Sequence, residues 1–475
     1  MTENATGPLA TRRDFLHWGA GGLGATAFAH LLRADAGARP TPNIAPKVTR
    51  AINICLVGGL SQVDSFDYKP ALEELDGKAP PAEVNSKKLF HRVGNLRTAD
   101  WRFAQHGASG LWISDLFPHL AKLADELTVI RSMQGTTNLH TPALFLCNSG
   151  FPVNGFPTVG SWLSYGLGSP SDSLPAYVVI PDRRGDPSGG TSTWGHGFLP
   201  ASHQGVQFRA EGAPIRDLFP PRPVSEKLAQ DTQALHALID QAHVNRLGGE
   251  DSVLEARLRS YQLAARMQLS VPEMSNISRE PKNITRLYGL DREPTKDFAR
   301  NCILARRMLE RGVRFVQLFS GGPLGGKPRT SWDGHENMVP NHTREALRID
   351  QPVAALLADL KQRGMLDDTL VTFTTEFGRT PFVEAKPGEA GSGRDHNSAG
   401  FTVWMAGAGL RPGIPYGETD EIGYRAERDV VTWHDFHATM LHLLGIDHTK
   451  LSYYHNGIER RLTNVHGEVV TGILA

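Results

Sequence analysis

Three cysteines in 475 residues, at positions 55, 147 and 302, are too few and too scattered for a disulfide framework. Their apolar contexts predict buried, inert thiols. Net charge is lacking too: 50 Lys plus Arg against 50 Asp plus Glu leaves no global field to attract nucleic acid or anionic lipid. No run is long and apolar enough to span a bilayer, because the best stretch, residues 18–32, is short and glycine-rich. There is no internal repeat. Glycine at 49 and proline at 31 imply many loops without implying disorder.

What is present begins at the N-terminus. Arg12-Arg13 precede that modest apolar run, and Ala34-Asp35-Ala36 follows it. A twin arginine, a weak apolar region and a small-x-small cleavage site are the layout of a Tat export signal over residues 1–36. Export through the Tat machinery to the periplasm or cell envelope is therefore expected, with no stable transmembrane anchor. That route carries proteins already folded, which suits a chain that acquires metal before export.

The remaining chain reads as alternating strands and helices. Residues 51–57 form an apolar run ending in Gly58-Gly59, residues 127–130 and 177–180 are short strands, and 116–127 and 141–147 have helical spacing. Residues 313–319, 369–375 and 401–406 read as further strands, with helices over 298–311, 344–363 and 434–444. Such alternation predicts an α/β fold on a largely parallel sheet. One domain over 45–475 is expected, carrying a Gly/Pro-rich and then helical insertion near 185–270.

Chemistry concentrates in the last third. Asp333-Gly-His335 follows a strand and a glycine-rich loop, Glu376 ends the 369–375 strand, and Arg394-Asp395-His396-Asn397 sits in a polar stretch read as a loop. Open α/β sheets place their ligands beyond the carboxyl ends of the strands. Carboxylate oxygen mixed with imidazole nitrogen suits a divalent metal. Each piece alone has a plainer reading: an Asx turn at Asp333, a Glu376–Arg379 salt bridge, an exposed loop histidine at 396. Their recurrence in three successive segments favours a site. In the first half, Asp64 and His140 are the corresponding polar groups, with helix capping the alternative for Asp64 and Asp67. Asp435 is read as a first-turn acid favoured by the helix dipole.

Several segments resemble the exported bacterial family called domain of unknown function 1501, within the alkaline-phosphatase-like superfamily of phosphatases, sulfatases and phosphomutases. They are Gly58-Gly-Leu-Ser-Gln-Val-Asp64, Asn138-Leu-His-Thr-Pro-Ala143, Trp332-Asp-Gly-His335, Thr375-Glu-Phe-Gly-Arg-Thr-Pro381 and Gly393-Arg-Asp-His396. The resemblance implies a three-layer fold, a mixed and mainly parallel sheet with helices on both faces. It also implies one or two divalent ions, zinc foremost. Asp333, His335 and His396 match the ligands of one ion; Glu376 matches a ligand of the second, with Asp64, His140 and Asp395 as further candidates. Phe377 stands where a ligand histidine is usual, and His140 stands at the nucleophile position of the sulfatases. Cys147, followed by Asn-Ser-Gly, departs from their aldehyde-hydrate signature.

These readings lead to an exported metal-dependent hydrolase of phosphate or sulfate esters. His140 or Thr141 is the candidate nucleophile, with Arg379 and Arg394 neutralising the transferring group. The substrate would be a small-molecule or polysaccharide ester, and nucleic acid is not expected as a partner. The alternative is a non-catalytic envelope protein of the same fold that binds an anionic polymer.

Overall fold

The structure, a computed structural model, describes residues 42–82, 84, 93–209, 271–386 and 389–475, with isolated positions between 212 and 270. The expected export signal and most of the helical part of the insertion lie outside the described residues. Residues Pro42–Ala475 make one compact unit. Among the described residues, no helix is long and apolar enough to cross a membrane.

A nine-stranded sheet runs through the unit. Its strands, in chain order, are β1 (Arg50–Leu56), β2 (Thr128–Gln134), β3 (Tyr177–Ile180), β4 (Val206–Gln207), β5 (Phe315–Ser320), β6 (Thr369–Thr375), β7 (Phe401–Ala406), β8 (Ile414–Tyr416) and β9 (Val431–Thr432). Across the sheet the order is β8-β2-β7-β6-β1-β5-β3-β4, with β9 also on β2. Only β7 is reversed, antiparallel to both β6 and β2; the other pairings are parallel. The fold is thus α/β with a mixed, mainly parallel sheet.

Alternation along the strands builds two apolar layers, because successive side chains point to opposite faces. Ile52, Ile54 and Leu56 join one core with the helices Lys296–Glu310 and Met338–Gln362. Ala51 and Cys55 join the other with the helices His140–Ser149, Val159–Leu167 and Trp433–Leu443. Strands sandwiched this way read as continuous apolar runs, which is why they were visible in the sequence. The three cysteines are buried and unpaired, and burial together with Cys55 pushes the Cys147 thiol up.

Some local expectations are corrected. Residues 116–127 hold only a 3-10 helix, Leu120–Glu126. Pro118 cannot donate a helical hydrogen bond, and the backbone amides of His119 and Leu120 are taken by the Asp350 carboxylate at 2.8 and 2.9 Å. The stretch read as a polar loop is the strand Arg394–Asn397, wholly buried and antiparallel to Gly378–Glu384 in a separate three-stranded sheet. Asp435 is the expected first-turn acid and in addition closes a capping box with Thr432. The described part of the insertion adds β4 to the edge of the main sheet.

Candidate metal centre

The parallel strands deliver their carboxyl ends to one edge, and the chain beyond each carries a polar group. β1 leads to Gly58 and Asp64, β2 to Asn138 and His140, β5 to Asp333 and His335, and β6 to Glu376. Because β7 is reversed, its start lies at the same edge, so the strand just before it brings His396 there. The loop after β1 crosses close to the loop after β5. Gly58 has φ +119°, and a Cβ there would lie 2.4 Å from the backbone nitrogen of Asp333. Gly393 is likewise pressed against the carbonyl of His335, where a Cβ would sit 2.0 Å from the oxygen. No other residue type fits such contacts.

Four side chains converge there: His140, Asp333, His335 and His396, whose ligand-type atoms lie within 4.8 Å of one another. Asp333 Oδ1 is 3.3 Å from His140 Nε2, 3.0 Å from His335 Nε2 and 3.3 Å from His396 Nε2. The Nε2 atoms of His335 and His396 are 2.8 Å apart. His396 donates its Nδ1–H to the backbone carbonyl of Asn138 at 2.6 Å. His140 Nδ1 faces Glu376 Oε1 at 2.9 Å, and His335 Nδ1 faces Glu384 Oε2 at 2.5 Å.

The tautomers follow from these partners. A carbonyl only accepts, so His396 carries its proton on Nδ1 and, when neutral, turns a lone pair at Nε2 toward Asp333. The carboxylates at Nδ1 of His140 and His335 impose the same arrangement. Lone pairs and a carboxylate oxygen packed at about 3 Å repel unless a proton or cation lies among them. Burial would raise the Asp333 pKa, but the three histidine rings gathered at its Oδ1 and the charge of Arg379 hold it far below the carboxylate range. Burial opposes protonation of His140 and His335; Asp333 with Glu376, and Asp333 with Glu384, outweigh it and raise both. Burial takes His396 down to about 2, helped by Arg379 and the other two histidines and opposed by its Asp333 contact.

The donor set passes a simple test of fit to a metal ion. Imidazole and carboxylate donors at about 2.0–2.1 Å in a tetrahedron stand roughly 3.3–3.4 Å apart, near the 3.0–3.3 Å observed from Asp333. His140 Nε2 is buried and has no hydrogen bond of good geometry. Acceptors behind all three rings are the arrangement that orients metal-binding histidines.

The other expected site residues stand elsewhere. Asp64 is fully buried against Arg394, Oδ2 to Nε 2.8 Å, and also accepts from Ser61 Oγ and the amide of Asp100. Arg394 spends its remaining donors on the carbonyls of Arg97, Thr98 and Thr380. Arg379, equally buried, bonds the carbonyls of Gly58, Gly59 and Arg394 and reaches Asp333 at 2.8 Å. Neither guanidinium faces solvent, so the expected grip on a transferring group by Arg379 or Arg394 is corrected to a structural one. Asp64 is likewise outside the converging set. Glu376 lies behind His140 and accepts the amide of Gly58 at 2.7 Å. Asp395 Oδ1 is 4.0 Å from His335 Nδ1, grouped with Glu384. The Thr141 hydroxyl is paired with that of Ser188.

Sequence reasoning missed Glu384 and Arg329; it offered His140 both as nucleophile and as a possible compensating ligand, and the structure groups it with Asp333, His335 and His396. Glu384 ends a strand with no motif around it. Arg329 contacts Asp333 Oδ2 from four residues upstream and remains about a quarter exposed, a spacing that in a loop carries no signal.

Fold and site together define an α/β protein with a three-histidine, one-carboxylate cluster at the carboxyl edge of its sheet. The family described as "Protein of unknown function (DUF1501)" matches residues 48–474, and the chain belongs to it. No curated protein sequence matches. Among solved structures it is similar to the lipoteichoic acid synthase LtaP from Listeria monocytogenes, at 11% identity over 85% of this chain and 76% of that one, TM-score 0.38. It is similar to a sulfatase from Pseudoalteromonas sp., at 15% identity over 95% and 75%, TM-score 0.37. A protein in the alkaline phosphatase superfamily from Vibrio parahaemolyticus matches at 13% identity over 89% and 76%, TM-score 0.36. Likeness at this level says nothing about substrate.

Proposed function

We propose that the protein is an exported metal-dependent hydrolase of phosphate or sulfate esters, acting in the periplasm or cell envelope after Tat export. The observation that carries the metal reading is the convergence of three Nε2 atoms on Asp333 Oδ1 with every Nδ1 held from behind. His140, Asp333, His335 and His396 would hold a divalent ion, zinc being the best match to this donor set. Such an ion supplies Lewis acidity toward an ester oxygen and lowers the pKa of water. Asp333 balances charge, and the buried Arg379 fixes its orientation. Arg329 is partly exposed beside Asp333, where a guanidinium could meet an anionic ester group. His140 has its Nε2 committed to the cluster and Thr141 its hydroxyl to Ser188, so neither is retained as nucleophile.

The test is metal analysis of protein purified without chelator, followed by assays on aryl phosphate and aryl sulfate esters. Bound zinc or a similar ion, with chelator-sensitive turnover lost in Asp333→Ala and His335→Ala, is expected. Metal-free folded protein, or turnover unaffected by those changes, overturns the reading.

The burial of Arg379 and Arg394, with the Thr141 hydroxyl paired to Ser188 and His140 held in the cluster, favours a second reading, a non-catalytic envelope protein that binds an anionic polymer. Chelator-independent binding to a sulfated polysaccharide, without turnover, would select it.

A further inference from the structure

Resting on the metal-site reading above, we infer that the centre takes one ion and that Glu376 serves it as a positioning residue, not as a ligand of a second. Glu376 Oε1 sits between two donors, the amide of Gly58 at 2.7 Å and His140 Nδ1 at 2.9 Å. The two nitrogens of an imidazole point to different edges of the ring. A carboxylate at Nδ1 therefore keeps the proton there and turns the Nε2 lone pair into the cluster. The amide of Gly58 ties this carboxylate to the same glycine whose missing Cβ lets Asp333 approach. One residue thus couples the loop after β1 to the orientation of His140.

Among the described residues two features invite a second ion: Glu376 Oε2 is buried with no hydrogen-bond partner, and Glu384 with Asp395 converges on His335, a ring already shared with the first group. What surrounds Glu376 argues against one there. Among the described residues, neither group of convergent ligand-type atoms includes Glu376. Phe377, fully buried, lays its ring against His140 and His396 with centroids 5.0 and 4.4 Å away. An ion there would have a single carboxylate beside an aromatic wall. Glu384 behind His335 and the Asn138 carbonyl behind His396 repeat the arrangement, so all three histidines are oriented alike toward a single point.

The experiment is titration of metal-free full-length mature protein with cobalt(II), against a competing chromophoric chelator, for wild type, Glu376→Ala, Glu376→Gln and His140→Ala. Circular dichroism and thermal unfolding serve as folding controls. Expected is one equivalent in the wild type and still one in Glu376→Ala, bound roughly 10–100-fold more weakly. Glu376→Gln keeps an oxygen acceptor for both donors and should recover most of that loss, whereas His140→Ala should not. Two equivalents in the wild type falling to one in Glu376→Ala or Glu376→Gln overturns the inference. If Glu376→Ala does not fold, the stoichiometry of Glu376→Gln decides in the same way. No binding by the wild type overturns the metal-site reading itself, an outcome distinct from either stoichiometry.

Discussion

Asp64 and Arg394 form an ion pair with no exposure of either side chain, Nε to Oδ2 2.8 Å, across 330 residues of sequence. It pins the turn after β1 to the strand that carries His396, and the guanidinium also gathers the carbonyls of residues 97, 98 and 380. Two segments that both contribute to the site edge are thus held by a charge pair wholly shielded from solvent.

Breaking such a pair leaves an uncompensated buried charge. Burial alone would raise the Asp64 pKa, and Arg394 with Ser61 reverses this. Asp64→Ala should destabilise the fold by about 3–5 kcal/mol. Chemical denaturation measures that loss, and the metal bound per folded molecule should be unchanged. Loss of metal without loss of stability would return Asp64 to the ligand set.

Gly58→Ala tests the close approach of the two loops. A methyl group at φ +119° must displace the backbone of residues 332 and 333. The cost is about 1–3 kcal/mol of stability, with weaker metal binding because Asp333 moves. Unaltered affinity in a folded Gly58→Ala protein would show that Asp333 does not depend on this contact.

His437 provides a pH dependence away from the site. Burial, with the nearby charge of His434, takes its pKa from the ordinary 6.5 down to about 3, against the bond to the Cys147 carbonyl. The folded state then binds fewer protons than the unfolded one between those values. Stability should fall as pH drops below about 6.5, by up to ~1.4 kcal/mol per pH unit from this group, and level off near 3. His437→Gln retains a donor to Cys147 and should flatten that slope in denaturation curves taken across the range.

Ligand linkage gives a further check. An ion bound only by the folded state at 100 times its dissociation constant adds about 2.7 kcal/mol. Chelation should therefore lower the melting temperature of the wild type and leave that of His335→Ala, which lacks a donor, nearly unmoved. Equal shifts in both proteins would place the stabilising ion elsewhere.

The sequence by itself determined the α/β class, the strands β3, β6 and β7 to the residue, and the position of Asp333 and His335 beyond a strand end; their grouping with His396 was implied by the family resemblance. Strands buried on both faces are apolar throughout, and residues just past their carboxyl ends must lie at one edge, so local pattern suffices. Only the tertiary structure decided which polar groups face the centre and which stand behind it. Asp64, Arg379 and Arg394 have the residue types of a site, but their partners lie hundreds of positions away or are backbone carbonyls that no pattern encodes. Glu376 and Glu384 became supports, and His140 a donor, through ring orientation, which depends on what touches Nδ1. The strand Arg394–Asn397 was hidden because its polar side chains are satisfied by contacts made only once the chain has folded.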